Sequence, residues 1–430
     1  MLVARHRLVP SLHRVTLGAL AALATACGSD GSGKDSADGA TSADAADTSP
    51  TSDVSDATGD ATGASDATDA TSGDDTTVAD SDASTDTSGG LAHITLIAGR
   101  TPVDLSPDGN TALIADPAAL NGDVYGLDTN TGAQTLLTQI GDPAFTFATG
   151  IASDGRLSAL HGSPVVAGVW APNDGWTDID SPFHEGCDLN VAGAWDISAD
   201  GATVVGFFWN GCTTEAFRWN DASGSGVVTP LAVLGSSSAG SSLGPVNRAT
   251  VVSDDGQVIG GSAQNGDIDR APAMWRADGT GQLLAPDDHD NPGEVLALSE
   301  DGAVAAGVSA NNGFIWTAAD GFLLLGKPAN GLPSDVTHIN TMAANGKLVF
   351  GSSGDPFFGL VQAVVWDETN GMRILQDLAV ANGAVIPEGT LLTNVLAAST
   401  DGSIVLGSAV DELGTPSAFV LVLATSAYGL

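Results

Sequence analysis

One short turn motif recurs seven times along this chain and constrains what it can fold into. In each copy an apolar stretch ends in a small residue, any residue, Asp or Asn, and then Gly. The seven copies are Ser106–Gly109, Ala152–Gly155, Ser198–Gly201, Ser253–Gly256, Ser299–Gly302, Ala343–Gly346 and Ser399–Gly402. Asp-Gly or Asn-Gly between apolar runs favours a hairpin with a type I′ turn, in which both central residues adopt positive φ. Seven hairpins at intervals of about 44–56 residues predict an array of repeated units.

Each unit continues through three more predicted strands. The turn leads into a short apolar strand, a third strand ends in a large side chain, and a second turn glycine precedes a fourth strand. The large side chains are Leu127, Trp170, Trp219, Trp275, Trp316, Trp366 and Leu421. Four strands in a period of about 46 residues are typical of a β-propeller blade, and a tryptophan at this position fills the gap between adjacent sheets.

A second glycine recurs five residues after the turn glycine in five of the units. These glycines are Gly206, Gly261, Gly307, Gly351 and Gly407. A glycine inside a strand indicates a β-bulge or a close approach of another backbone.

The two ends of the repeat region predict that the array closes into a ring. After Leu421 the chain ends without a fourth strand, and before the first turn there is a spare one, Ala92–Ala98. This strand can complete the seventh blade and remove exposed sheet edges. We therefore predict an all-β fold, a seven-bladed β-propeller over residues 91–430, with four strands per blade, closed by an N-terminal strand and preceded by a disordered tail.

The repeat resembles the HAF family of extracellular repeats. The motifs of that family are a Ser-x-Asp-Gly turn, a Val-x-Gly strand and an Ala-Phe-x-Trp strand. Ser198–Gly201, Val204–Gly206 and Ala216–Trp219 match them most closely, whereas the first unit, around Val124–Gly132, departs from them. The resemblance covers residues 91–430 and implies a β-propeller; it implies no shared activity.

Residues 1–26 have the pattern of an export signal. Three arginines precede a short apolar run, Val15–Ala26, which is too short to span a bilayer. The run ends in Leu23-Ala24-Thr25-Ala26-Cys27, which resembles a bacterial lipoprotein cleavage box, so that Cys27 would become the lipidated N-terminus. An ordinary secretory signal with an unmodified cysteine is the alternative.

Residues 27–90 form the predicted linker between this signal and the ring. After Cys27 they consist almost entirely of Asp, Ser, Thr, Ala and Gly, with fifteen Asp and the single basic residue Lys34. Such a segment cannot bury enough apolar surface to offset its ordering entropy, so we expect a disordered acidic tether. Calcium capture by these carboxylates is a weaker alternative, because their spacing is not that of a calcium loop.

The net charge limits which binding partners are expected, and the cysteines indicate a disulfide. The formal net charge of −39 argues against nucleic acid, whose phosphates require basic surface. Cys187 and Cys212 are predicted to emerge on the same face of the propeller, and export to an oxidising compartment favours a disulfide over two free thiols. Asp287–Asp290 and His184–Cys187 carry metal-ligand residue types, but a solvated loop and the disulfide are the favoured interpretations, and no metal or other cofactor is predicted.

No catalytic motif stands out, and the ligand-binding residues stay unassigned. The longer connections, around Gly235–Gly244, Gly354–Val361 and Ala379–Gly389, should emerge together on one face, where function tends to sit. We therefore expect an exported, monomeric outer-membrane or cell-surface lipoprotein that serves as a binding or scaffolding module for carbohydrate or an envelope protein. A propeller hydrolase or lyase acting on an extracellular polymer, and a structural surface spacer, are the alternatives.

Overall fold

The structure of the protein is a computed structural model. It describes residues 92–116, 123–138, 147–162, 165–181, 191–209, 213–221, 226–239, 244–266, 268–284, 292–355 and 360–430. These residues contain 28 strands in seven four-stranded antiparallel sheets. Blades 1–6 each take four consecutive strands, and blade 7 takes the last three strands together with the first.

In blades 1–6 the strands follow one another across the sheet in chain order. Blade 1 contains β2 (Thr101–Leu105), β3 (Thr111–Ala115), β4 (Val124–Asp128) and β5 (Gln134–Thr138), and blade 2 contains β6 (Phe147–Ile151), β7 (Leu157–His161), β8 (Val166–Ala171) and β9 (Gly175–Ile179). Blade 3 contains β10 (Val191–Ile197), β11 (Thr203–Trp209), β12 (Thr214–Asn220) and β13 (Val227–Pro230), and blade 4 contains β14 (Asn247–Val252), β15 (Val258–Asn265), β16 (Ile268–Arg276) and β17 (Gly281–Leu283). Blade 5 contains β18 (Gly293–Leu298), β19 (Val304–Ser309), β20 (Asn312–Thr317) and β21 (Gly321–Leu324), and blade 6 contains β22 (Val336–Ala343), β23 (Leu348–Gly354), β24 (Gln362–Asp367) and β25 (Gly371–Ile374). Blade 7 contains β26 (Leu391–Ala398), β27 (Ile404–Val410), β28 (Pro416–Val422) and β1 (His93–Ala98).

The ring is closed, as the sequence predicts. The first strands of neighbouring blades pack against one another in succession, and β26 of blade 7 contacts β2 of blade 1, so the first strands surround a common axis. Strand β1 pairs with β28 along its whole length, from His93 opposite Val422 to Ala98 opposite Ser417. The prediction that the spare N-terminal strand completes the seventh blade is confirmed.

Apolar side chains between adjacent sheets hold the blades together. Trp219 lies in a buried cluster shared by blades 2 and 3, and Trp275 in one shared by blades 3 and 4. Leu127 and Leu421 occupy the same place at the blade 7–1 and blade 6–7 interfaces. The structural interpretation of the repeated large side chain is therefore confirmed, because each packs against the preceding blade.

The turns of the repeated motif differ from the prediction in one respect. In the six Asp-Gly copies the glycine has positive φ, as at Gly109 (φ +75°), but the aspartate does not, so the predicted type I′ geometry is wrong there. In the Asn-Gly copy Asn345 (φ 54°) and Gly346 (φ 80°) both have the predicted positive φ. The serine hydroxyl binds the aspartate in most copies. In the first copy Ser106 Oγ donates to Asp108 Oδ1 (2.7 Å) and accepts the N–H of Thr111 (2.9 Å), and the turn is closed by the N–H of Gly109 bonding the carbonyl of Ser106 (2.7 Å). The same hydroxyl-to-carboxylate bond forms at Ser198, Ser253, Ser299 and Ser399.

The two copies without the serine take other geometries. At Ala152 the loop is shorter, since the N–H of Ala152 bonds the carbonyl of Arg156 (2.9 Å). At Ala343 the following residues, Ala344 and Asn345, adopt φ 50° and 54° within a 3₁₀ turn. Since Asp154 also lacks positive φ, the serine hydroxyl supports the turn in five copies but does not by itself fix the sign of φ at the aspartate.

The repeated strand glycine is explained by a close backbone approach. A Cβ at Gly351 would lie 1.9 Å from the carbonyl oxygen of His338 on the innermost strand of the same blade. Gly206, Gly261, Gly307 and Gly407 stand in the same relation to Gly193, Arg248, Glu294 and Asn394, at 2.0–2.1 Å. The predicted bulge or close approach is confirmed at all five positions.

A helix that the repeat pattern does not predict follows blade 6. Helix α1 (Leu375–Ala381) buries Leu375 and Ala379 against the sheets of blades 6 and 7. The C-terminal segment packs beside it, where Tyr428 is fully buried and donates its hydroxyl to the carbonyl of Gly402 (3.1 Å). Within the described parts of the chain, no helix is long and apolar enough to cross a membrane.

Candidate functional site

The two ends of the ring are different surfaces. The turn face carries the hairpins between the first and second strands of each blade, and the loop face is the opposite end. On the turn face neighbouring hairpins are joined by backbone hydrogen bonds, such as Ser153 N–H to Ala199 O (3.0 Å) and Thr400 N–H to Pro107 O (2.9 Å), the second of which crosses the closure of the ring. The turn face is thereby tied together, whereas the longer connections predicted to carry function lie towards the loop face.

Every innermost strand contains a β-bulge on the axis of the ring. The bulged residues are Val103, Thr149, Trp195, Thr250, Leu296, Asn340 and Leu396, and β26 contains a second bulge at Thr393. The polar ones bridge to the next blade: Thr149 Oγ1 donates to Ala194 O (2.9 Å), and Asn340 Nδ2 donates to Val395 O (2.9 Å). Bulges re-aim side chains and are enriched next to functional sites.

Polar residues cluster two positions before the bulge on four successive blades. They are Arg248, Glu294, His338 and Asn394 of blades 4–7, at the loop-face end of the axis. Glu294 is 8% exposed; it pairs with Arg270 Nη1 (3.2 Å) and accepts the hydroxyl of Thr250 (3.1 Å). Arg270 balances the charge of this carboxylate and Thr250 holds it by a hydrogen bond, which suits positioning of neighbouring groups.

Aromatic side chains of blade 3 lie beside this polar cluster. The rings of Trp195 and Phe207 stack with centroids 5.7 Å apart, and the guanidinium of Arg248 lies 5.7 Å from the centre of the Phe207 ring. An apolar platform next to hydrogen-bonding groups can hold a small polar ligand. The arrangement contains no nucleophile with an adjacent base among the contacts of its described residues.

The turn-face end of the axis carries carboxyl groups instead. Asp104 Oδ2 accepts the N–H of Ile151 across the blade 1–2 interface (2.9 Å), and Asp196 Oδ2 accepts the N–H of Val252 across the blade 3–4 interface (2.7 Å). Both side chains retain some exposure but lie deep among the innermost strands. Asp254 lies in the turn that follows β14, and its charge acts on both Asp104 and Asp196.

Burial raises the pKa values of all three carboxyls. The pKa of Asp104 rises to about 7, against the effect of hydrogen bonds from the N–H groups of Ile151 and Leu105 and with a further rise from the charge of Asp254. Burial, followed by the nearby charge of Asp104, raises the pKa of Asp196 well above its usual range. Burial, Glu300 and Asp255 raise the pKa of Asp254 to about 6. Burial thus favours the protonated form of the carboxyls at this end of the axis.

A shallow depression of about 480 Å³ opens on the turn face. Its lining includes Asp108, Glu300 and Asp401, with Thr400 and the C-terminal Leu430 beside them. Among the described residues, no group of three or more His, Cys, Asp or Glu is arranged to hold a metal ion. The depression is therefore an acidic surface feature without a recognisable metal centre.

The site residues singled out from the sequence lie outside the described residues. This applies to Cys27, to Cys187 and Cys212, and to the alternatives at Asp287–Asp290 and His184–Cys187. Lipidation and the disulfide accordingly stay predictions. The axial carboxyls were not predicted, although the sequence carries a signal for them: Asp104 and Asp196 are charged residues inside an otherwise apolar strand, two positions before the turn serine.

Comparison with known proteins reveals similarity only to solved structures. No protein-family model and no curated protein matches the sequence. The fold is similar to that of an oligogalacturonate lyase from Vibrio parahaemolyticus, with 13% identity, 77% of this chain and 92% of that chain covered, and a TM-score of 0.49. A virginiamycin B lyase from Staphylococcus aureus (12%, 77% and 99%, TM-score 0.47) and the β-propeller domain of Cps50 from Myceliophteria thermophila (12%, 76% and 99%, TM-score 0.47) are also similar. Identities and scores this low transfer no activity.

Proposed function

We propose that the protein is an exported, lipid-anchored β-propeller that acts as a binding or scaffolding module at the bacterial cell envelope. The carrying observation is the difference between the two faces of the ring. Short turns tied by hydrogen bonds form one face, and longer, varied connections belong to the other, as expected where a rigid scaffold presents a recognition surface. In this proposal the export signal directs the protein out of the cytoplasm. Lipidated Cys27 then anchors it, and the acidic linker holds the propeller away from the membrane.

A binding module should capture a ligand without changing it. We expect the full chain, incubated with a panel of envelope polysaccharides and envelope proteins, to retain at least one of them and to release no new reducing ends, unsaturated sugars or peptides. The control is the same chain unfolded in denaturant, which removes the folded surface. Retention by folded and unfolded chain alike would contradict the proposal, because it would reflect charge alone.

A second candidate, a hydrolase or lyase acting on an extracellular polymer, is supported by one observation. Arg248, Glu294 and His338 come from successive blades at one end of the axis, and propeller active sites are assembled from several blades without a linear motif. Product release in the same screen, abolished by His338→Ala, would favour this candidate. If the screen yields neither a bound ligand nor products, the structural spacer becomes the better explanation.

Anchoring through Cys27 makes a separate prediction. Cys27→Ser removes the thiol that lipid would modify, so we expect the protein to move from the membrane fraction to the soluble fraction when expressed with its own leader. Because a transmembrane helix would be unaffected by this change, fractionation distinguishes the two modes of attachment. Cys187→Ser is the matched control and should leave the protein with the membranes. Continued sedimentation of Cys27→Ser with the membranes would rule out lipidation at this residue.

A further inference from the structure

Four aliphatic side chains project from the loop face of blades 5–7. They are Leu332, Leu360, Val385 and Leu413, with 59%, 72%, 85% and 88% of their surface exposed. They lie in the blade 5–6 connection, the β23–β24 connection, the blade 6–7 connection and the β27–β28 hairpin. We call this set the loop-face arc. Side chains this exposed contribute little to the core, and several along one face mark a contact surface.

Neighbouring contacts join the members of the loop-face arc. Asn330 Nδ2 reaches Gln362 Oε1 (3.5 Å), which links the connection that carries Leu332 to the start of β24, just after Leu360. Gly389, at the end of the connection that carries Val385, packs against the side chain of Glu412, next to Leu413. The arc therefore consists of two adjacent pairs on consecutive blades.

The two hairpin-like tips of the arc are held in place by carboxylates. Asp335 Oδ2 accepts the backbone N–H of Leu332 (2.8 Å), and Asp411 Oδ1 accepts that of Leu413 (2.8 Å). The leucines thus project from fixed backbone positions. A surface organised before binding loses less entropy when a partner is bound.

The charge around the arc determines what it fits. Glu388, Asp411 and Glu412 are exposed beside Val385 and Leu413, within a chain of net charge −39. A second copy would bring like charges together, and an anionic lipid surface or nucleic acid would be repelled. Stacking of sugar rings needs aromatic faces, and the four arc residues are aliphatic. The half of the arc around Val385 and Leu413, with three exposed carboxylates beside it, complements a partner with apolar residues in a basic surround.

The closing strand β1 begins at the face of the ring opposite to the arc. β1 is antiparallel to β28 and begins at His93 opposite Val422, and Val422 is itself paired with Ile404, directly after the turn-face hairpin. The chain therefore enters the ring at the turn face, and the arc lies on the opposite face.

We propose that the loop-face arc is the docking surface for a protein partner that presents apolar residues within a basic surround. This inference rests on the proposed binding function and specifies its partner. The four aliphatic residues enter the partner's apolar surface, while the carboxylates meet its lysine or arginine residues. The expected interface is small and sensitive to salt.

The test uses the full chain and a defined probe, a helical amphipathic peptide of Leu and Lys, with its Leu/Glu counterpart and phosphatidylcholine vesicles as comparisons. We expect the Lys peptide alone to bind. The quadruple variant Leu332→Ser, Leu360→Ser, Val385→Ser and Leu413→Ser should weaken binding by about tenfold or more, because interface anchors are lost while net charge is unchanged.

The matched control removes exposed leucines elsewhere: Leu136→Ser, Leu323→Ser and Leu324→Ser on outer strands, at 44%, 51% and 56% exposure. It should bind like the unaltered chain, and both variants should keep the unaltered melting temperature. Equal binding by both variants would show attraction by net charge only and overturn the docking surface, as would preferential binding to the vesicles. Capture of an envelope polysaccharide by the full chain, together with no effect of the arc variant, would overturn this inference while leaving the binding function intact.

Discussion

Replacing Ile97 by aspartate is expected to destabilise the ring by at least about 3 kcal/mol, more than any other single substitution considered for this chain. Ile97 belongs to the closing strand β1 and is 6% exposed. It lies in the buried cluster shared by blades 7 and 1, together with Ile114 of blade 1 and Leu406 of blade 7. A carboxylate there would be buried without a partner at the interface that closes the ring.

The consequence should extend beyond blade 7. β1 is both the outermost strand of blade 7 and the segment that leads directly into β2, so its loss exposes the edge of β28 and separates the last blade from the first. We expect thermal unfolding, followed by circular dichroism, to begin at lower temperature and to become less cooperative. An edge strand left open also favours aggregation, which light scattering would record.

Ala98→Asp provides the control for this substitution. Ala98 is the neighbouring residue of β1 and is exposed, so the same charge introduced there should change stability by no more than about 0.5 kcal/mol. If Ile97→Asp and Ala98→Asp unfold at the same temperature, β1 does not hold the ring closed in the way the structure indicates.

The ring architecture could be predicted because its determinants are local and repeated. Each turn motif marks one hairpin, and each large side chain marks one inter-blade contact, as Trp219 and Trp275 show. The closing strand could be predicted by counting strands. The last repeat has only three, and one additional strand precedes the first turn. Repetition made seven weak signals into one strong prediction.

The features that could not be predicted depend on contacts that the repeat does not encode. The turn type was wrong for the Asp-Gly copies, since none of their aspartates has positive φ. In five of them a serine hydroxyl binds the carboxylate, as Ser106 does, which the Asp-Gly pair alone does not reveal. Helix α1 begins after Ile374 without a side-chain cap, so the usual start signal is absent. It forms because Leu375 and Ala379 are buried between two blades.

The candidate site was predictable only as a face of the ring. Which residues meet on the axis depends on the bulge in each innermost strand, which shifts the alternation of side chains by one residue. For this reason Asp104 and Asp196 face the next blade, although simple alternation along the strand does not require it. The HAF resemblance and the envelope location stay predictions.

Acidification from pH 8 to pH 5 is expected to stabilise the ring by about 1–3 kcal/mol, the second large effect. The axial carboxyls are the cause. A carboxyl with a folded pKa above its usual value near 3.8 binds its proton more tightly in the folded chain. Its contribution to stability is complete below pH 3.8 and is lost as the pH rises through the folded pKa, about 6 for Asp254 and about 7 for Asp104.

The turn aspartates act in the opposite direction at lower pH. Hydrogen bonds from the serine hydroxyl and the backbone hold the pKa values of Asp108, Asp200 and Asp401 below the usual value despite their partial burial. Their stabilisation is present above pH 3.8 and is lost as the pH falls through their folded pKa values. Stability should therefore be greatest near about pH 4–5 and decline on both sides.

The substitution Asp104→Asn tests how much of the pH dependence of stability comes from the axial carboxyls. The amide oxygen can still accept the N–H of Ile151, but the group no longer titrates. The variant should therefore be more stable than the unaltered chain at pH 7–8. Its melting temperature should also change less between pH 5 and pH 8. Asp278→Asn, at an exposed turn where threonine and backbone hydrogen bonds lower the aspartate pKa, should keep the original change. The measurement compares the melting temperatures of both variants and the unaltered chain at pH 5 and pH 8, at constant ionic strength. An Asp104→Asn chain with an unchanged pH profile would show that the axial carboxyls are not the groups whose protonation stabilises the ring.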